Sequence, residues 1–248
     1  MSGSQTALRN AAILILLVLI CWQLLYWDVG DIALRSPAQT LSYVGTLLVG
    51  DMIWPHLWET MRAFVMALIL AIVSGLTIGF TLGYSRSAAQ TFEPILVAFY
   101  SIPKITLYPI LLLIFGLGIS AKVAFGTIHG IIPIALFTMN AVRNVRPVLI
   151  KTGKVMQLSQ ADMVRTILFP AALPEIFTGL RVGFSLTLIG TLLGEMFASQ
   201  SGLGFLLMNA IGLHNIDLIM AITLILVVFA ATVSSVLLFY DHKLHGQR

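Results

Sequence analysis

Residues 167–183 read ILFPAALPEIFTGLRVG. Pro170 and Pro174 stand four residues apart; a basic, polar segment precedes them, and an apolar run carrying Gly179 and Gly183 follows. This is the pattern of a chain leaving water for hydrocarbon. Proline removes a backbone donor and its ring collides with the preceding turn of a helix. The joint is therefore expected to end a short helix over 160–168 and to redirect the chain into a span over 175–198.

Composition agrees on both sides of the joint. Of 248 residues, 58% are hydrophobic and 10% are charged, against about 25% charged in soluble domains. Too little polar surface exists to cover a water-facing globule. A bilayer crossing needs about 20 apolar residues, and such runs fall at 10–27, 61–84, 91–118, 121–142, 175–198 and 216–240. The fold class is thus an all-α membrane protein of about six transmembrane helices, built as a single transmembrane domain over 1–248. The first span could imitate a signal peptide, but no clear small-residue cleavage site precedes Asp28, so it reads as retained. Cys21, the single cysteine, cannot form an intrachain disulfide and reads as packing.

The third span is expected to be broken, because Pro103 and Pro109 both fall within it. Broken helices at membrane depth face protein or a water-filled cavity. Glycines at 75, 79 and 83, at 179 and 183, and at 190 and 194 recur every fourth residue. Small residues at that spacing let helices approach closely, which bears on architecture and not on chemistry.

Orientation follows lysine and arginine. With the N-terminus inside, Arg9, Arg86, Arg143, Arg146, Lys151, Lys154, Arg165, Lys243 and Arg248 are cytoplasmic. The outside holds Arg35, with Lys122 and Arg62 near span ends, and Asp28, Asp31, Asp51 and Glu59. Both termini are therefore expected in the cytoplasm. The basic residues follow topology and give no reason to expect nucleic acid. Residues 28–60 form an outer, periplasmic segment whose Tyr43, Trp54 and Trp58 suit an interfacial helix or a docking surface. A short re-entrant or outer-face helix is expected at about 203–211. The largest cytoplasmic segment is 143–174, with two short helices at 146–156 and 160–168 and Ser159 as a cap near Asp162. Leu149, Val155, Met156, Leu158 and Met163 give it an apolar side, suited either to a groove on a soluble partner or to the chain's own bundle.

Ionisable groups within spans are costly and need reasons. Lys104, in the break of the third span, could line a path for an anionic solute, snorkel, or pair with Glu195. Glu195, near the outer end of the fifth span, could line the same path or bond the glycine-rich turn that follows. Tyr108 and Ser199 are the other candidates for the path. Arg181 reads as an anchor at the cytoplasmic start of its helix. There is no phosphate-binding G-x-x-x-x-G-K-[ST] loop, no H-E-x-x-H pair and no G-x-S-x-G elbow; no catalytic group or metal site is expected, and His129 stands alone in its span.

Two stretches carry a family resemblance: SIPKITLYPILLLIFGLGISAK at 101–122, and ILFPAALPEIFTGLRVGFSLTLIGTLLGEMFASQSGLG at 167–204. From about Trp58 to Tyr240 the chain resembles the membrane-spanning permease subunit of a bacterial ABC importer, in the nitrate/sulfonate/taurine branch of binding-protein-dependent systems. The family's cytoplasmic signature is Glu-Ala-Ala, a glycine six residues after the Glu, then Ile-x-Leu-Pro. Anchored on Pro170, its end falls on Ile167, Phe169 and Pro170; its start falls on Lys151, Thr152 and Gly153, and its glycine on Gln157. The second half is kept and the first is not. The resemblance implies type I importer architecture in the bacterial inner membrane. It implies partners: a cytoplasmic ATPase dimer holding ATP and Mg, a periplasmic solute-binding protein, and a second permease subunit forming a homodimer. It implies no cofactor on this chain and no enzymatic activity of its own. It implies that loop 146–168 couples to the ATPase through Lys151, Thr152, Gly153, Lys154, Met156, Gln157, Leu158, Ser159 and Pro170. Rival readings are an ion- or proton-coupled carrier, which would show paired broken helices where one break is found, and an intramembrane enzyme using Glu195 or His129.

Overall fold

The computed structural model of the protein describes residues 3–197 and 199–245, with side chains from 9 to 241 apart from residue 198. Ala198, the last residue of the expected fifth span, and Arg248 lie outside the described residues.

The described chain is helical. α1 (Gly3–Val29) leads to α2 (Pro37–Val49), then α3 (Ile53–Tyr84) and α4 (Arg86–Ser101); a 3-10 turn (Lys104–Leu107) joins α4 to α5 (Tyr108–Phe115). α6 (Ile119–Arg143), α7 (Pro147–Val155), α8 (Gln160–Met163), a π turn (Val164–Leu168), α9 (Phe169–Phe197), α10 (Leu203–Gly212) and α11 (Ile216–His245) complete it. The start of α3 lies at Ile53, inside the stretch read as the outer segment. Trp54 and Trp58 therefore stand on the first turns of a span, with 50% and 70% of their surface exposed.

α6 is the axle. Its buried stripe steps by four, through Lys122, Gly126, Gly130, Ile134, Thr138 and Val142. α3 lies along it with Gly75 against Ile134, Gly79 against Thr138 and Gly83 against Met139 and Val142. Numbers rise together, so the two helices run the same way. α9 meets another side, with Gly179 at Phe137, Gly183 at Ile134, Gly190 at His129 and Gly194 at Lys122; numbers fall as they rise, so it runs the opposite way. A methyl at Gly79 would sit 2.7 Å from the Ala135 carbonyl oxygen. These contacts need glycine because the backbones themselves touch.

The parallel run of α3 and α6 settles the third span. Between Tyr84 and Ile119 the chain must return from one end of the bundle to the other. α4 with the 3-10 turn and α5 makes that return, bent by 86°. Pro103 caps the turn and Pro109 opens α5, as the two prolines implied. Counting the bent pair, six segments can cross a membrane.

The joint at Pro170 and Pro174 corrects the sequence reading. The prolines do not end the short helix: Gln160–Phe197 is one helical run of 38 residues. Just before Pro170 the helix widens to a π turn, in which the Phe169 amide donates to the Val164 carbonyl five residues back. A π turn takes one extra residue into the coil, giving the chain slack just upstream of Pro170, which has no amide hydrogen to donate. The buried series records the insertion. Met163 and Leu168 are five apart, and Leu168, Ala172 and Ile176 then step by four.

α1 stands apart. None of its residues from Arg9 to Val29 is buried; it is tied through the Trp22 indole, which donates to the Arg35 carbonyl at 2.9 Å. Arg35 in turn grips Asp217 at the start of α11, Nε to Oδ1 at 2.6 Å and Nη2 to Oδ2 at 3.1 Å. The Asp217 carboxylate, hydrogen-bonded to the guanidinium, raises Arg35 above its ordinary value. At the far end of α11, Asp241 accepts from the Thr178 hydroxyl at 3.0 Å and lies 3.5 Å from Arg181. Arg181 thus anchors α9 to α11.

Candidate functional site

Two places on the bundle concentrate polar or uncovered groups, one at each end. At the end where α3, α6 and α10 begin lies a buried ionic cluster. The Lys122 side chain is 2% exposed, yet its ammonium donates to Glu59 Oε1 at 3.1 Å and to the Ser201 carbonyl at 2.9 Å, and lies 3.9 Å from Glu195 Oε1. The Glu195 side chain is fully buried. Its oxygens accept from the Thr60 hydroxyl at 2.8 and 3.0 Å and from the Gly204 amide at 3.0 Å. The same Thr60 oxygen accepts from the Leu203 amide at 2.8 Å. His56 Nδ1 accepts from the Gly202 amide at 3.1 Å, and its ring stacks on Phe205.

The backbone explains why this cluster can close. Gly202 sits at φ +113°, where L side chains rarely go, and a Cβ there would run into the Glu195 carboxylate. Ser199 belongs to the same network at one remove: its hydroxyl donates to the Ser201 carbonyl that Lys122 also holds. The Tyr108 hydroxyl donates to the Gly194 carbonyl, one residue from Glu195, and its ring packs on Phe125.

Of the four candidates for a path, the structure therefore gathers Tyr108, Glu195 and Ser199 around one buried node. Lys104 stands elsewhere. Its ammonium turns back onto the Tyr100 carbonyl at 3.1 Å and over the Tyr100 ring. Lys122, not Lys104, is the partner of Glu195. Sequence reading treated Lys122 as a span-end residue. The signal was present: Lys122 stands on the same every-fourth stripe as Gly126 and Gly130, which is the buried face of α6. His129 is packed beneath Gly190, with Nδ1 2.8 Å from the Phe125 carbonyl oxygen.

At the opposite end, residues 144–168 form a corner. α7 ends in a Schellman turn: the Leu158 amide reaches the Gly153 carbonyl and the Gln157 amide the Lys154 carbonyl. Gln157 holds the left-handed conformation, φ 53°, which glycine adopts more readily than any residue with a Cβ. Ser159 then caps α8, accepting from the Asp162 amide at 3.1 Å. Gly153 is buried, and a Cβ there would meet Met163 at 2.6 Å and Ile167 at 2.7 Å. Any larger residue at 153 would therefore have to displace Met163 and Ile167.

The expected apolar side of the loop divides in two. Met163 turns inward onto Val142, Val145, Leu168 and Ala172. Val148, Val155 and Met156 point away, 62%, 83% and 65% exposed. Lys151, Thr152 and Lys154 are exposed, Leu158 is half-buried and Pro170 is exposed. A cleft of about 950 Å³ separates α7 from the α3–α4 turn, bordered by Arg86, Glu93, Arg143 and Lys154.

A bundle threaded by glycine contacts, with one bent span, a short helix pinned over one end and a capped corner held out at the other, is a multi-pass membrane architecture. The family model for the binding-protein-dependent transport system inner membrane component matches residues 71–245, and the chain belongs to that family. It is 33% identical to the riboflavin transport system permease protein of Chloroflexus aurantiacus, covering 88% of this chain and 87% of that one. It is 25% identical to the taurine transport system permease protein of Escherichia coli, over 79% and 75% of the two chains. A solved structure of inward-facing conformations of the MetNI methionine ABC transporter superposes with a TM-score of 0.68 at 20% identity, over 79% of this chain and 99% of that one. The fold is that of a type I ABC importer permease, and the protein is a multi-pass component of the inner membrane.

Proposed function

We propose that this chain is the path-forming subunit of an ATP-driven importer, receiving a small solute from a periplasmic binding protein and coupling to a cytoplasmic ATPase through residues 146–168. The observation that carries the proposal is the corner. Val155 and Met156 are uncovered apolar residues on a turn fixed by the Schellman bonds and the Ser159 cap. An exposed apolar knob on a rigid support suits a groove on a soluble partner. Lys151, Thr152, Gly153, Lys154, Gln157, Leu158, Ser159 and Pro170 complete the coupling element, with Gly153 and Pro170 acting through the packing and continuity of the helices. ATP and Mg belong to the partner ATPase. The assembly holds two copies of this chain, with both termini and the corner on the cytoplasmic side, where lysine and arginine concentrate.

Transport then requires two packings of the bundle, biased by ATP at the corner and by the loaded binding protein outside. The solute we propose is a small organic anion, in line with Lys104 in the bent span and with the taurine relative. The riboflavin relative supports a second reading, a heterocyclic solute. The test is crosslinking. In a Cys21→Ser background, Met156→Cys is expected to crosslink to the co-expressed ATPase. No crosslink from any position across 151–160 would sink the coupling assignment.

A further inference from the structure

The importer reading leaves the buried Lys122–Glu195 cluster without a task. We propose that Glu195 and Lys122 are positioning residues: they cap and lock the outer helix α10 onto α3, α6 and α9, and do not contact the solute. The geometry points to this through the start of α10. Its preceding residue, Gly202, has no side chain with which to cap the helix. The first amides of α10 are satisfied from other helices, Leu203 by the Thr60 hydroxyl of α3 at 2.8 Å and Gly204 by the Glu195 carboxylate of α9 at 3.0 Å. A carboxylate against the positive end of a helix is stabilising. It is more so here, because the site is fully buried and no water competes.

Each bond joins a different pair of elements. Thr60 ties α3 to α9 and to α10. Lys122 ties α6 to α3 through Glu59, and to the 199–202 turn through the Ser201 carbonyl. His56 ties α3 to the same turn at the Gly202 amide. The apolar underside of α10, Leu203, Leu206 and Ala210, packs on Leu218 and Ile222 of α11 and on Leu47 of α2. Every oxygen of Glu195 is engaged within the chain, which leaves none aimed at a solute path. The outer ends of four helices and α10 are therefore one body.

The inference goes beyond the importer reading but uses it for one arm of the test. The full chain, with its ATPase, is placed in lipid nanodiscs, and backbone amide exchange at residues 203–206 is followed by mass spectrometry. Glu195→Ala is expected to speed exchange there about tenfold or more, the effect of removing buried charge-assisted hydrogen bonds. Glu195→Gln keeps an acceptor for Thr60 and Gly204 and is expected to restore most of the protection. Thr60→Val, which removes no charge, is expected to loosen the same amides. ATP hydrolysis by the same samples is expected to lose its dependence on the binding protein in Glu195→Ala and to regain it in Glu195→Gln. Unchanged exchange at 203–206 in both Glu195→Ala and Thr60→Val would overturn the lock. Loss of coupled hydrolysis in Glu195→Gln with full protection of α10 would also overturn it, since the charge itself would then be what transport needs. Absence of any associated ATPase would instead defeat the importer reading, and the exchange arm would still decide the lock.

Discussion

The two ends of the bundle solve opposite problems. In the cluster beneath α10 the buried charges are matched: Lys122 has two carboxylates and a carbonyl, and Glu195 has a hydroxyl, an amide and an ammonium. In the corner at the other end the polar contacts of residues 153–162 are local, within a capped turn, and Val155 and Met156 are left outside. Long-range buried polar contacts fix how helices sit relative to one another. Local caps fix a turn and leave its surroundings free. The α10 end is built to stay one body, and the corner is built to keep its own shape independently of the bundle around it.

The sharpest way to break that contrast is at Lys122. Lys122→Met leaves Glu59 and Glu195 facing each other without a cation, and breaking a buried pair costs about 3–5 kcal/mol. The variant is expected to lose most of its folded yield or to unfold far earlier in a thermal scan of detergent-solubilised complex. A variant of wild-type stability would mean that the cluster does not hold that end of the bundle. Next in size is the axle between the ends. Gly130→Ala drives a methyl into Thr187 and against Ala71, and overpacking of this kind costs about 1–3 kcal/mol. The same thermal scan would register it, and no change would mean that the helices are not held by backbone contact.

At the corner the expected effect moves from stability to association. Val155→Asp changes an 83% exposed side chain, so stability is expected to hold within about 0.5 kcal/mol. Retention of the ATPase during purification is expected to fall, and full retention would place the docking surface elsewhere. The smallest effect is expected at Gln157. Its left-handed backbone is strained for any residue with a Cβ, while glycine loosens the unfolded chain. Gln157→Gly is thus expected to stabilise by about 0.5 kcal/mol at most. A clear loss of stability would show that the Gln157 side chain has a task of its own.

The spans and the glycine seams were legible because both are periodic in sequence. The broken third span was legible because Pro103 and Pro109 have local effects. The continuous helix through Pro170 was not, since whether a proline ends a helix or is absorbed depends on the turn before it. Val164–Leu168 carries no residue that announces a π turn. The buried cluster was half legible. Glu195 stood out as a charge in a span, and its bond to the glycine-rich turn was one of the readings available. Its partner Lys122 lies 73 residues away by number, and nothing local specifies a pairing at that distance. The coupling signature illustrates a third case. By sequence Lys151, Thr152, Gly153 and Gln157 look like departures; in the structure Gly153 packs where a Cβ would collide and Gln157 takes a left-handed backbone, and neither demand has a local sequence signal.

The π turn at Val164–Leu168 also sets a compass bearing. One residue of an α-helix subtends about 100° around the axis. Met163 and Leu168 share one buried face although five residues separate them; in plain α-helix the surplus residue would carry Leu168 off that face by roughly that angle. The heading of Val155 and Met156 is therefore kept by slack in the rod beneath them, a wide turn that takes up one residue, and not by any contact that they make.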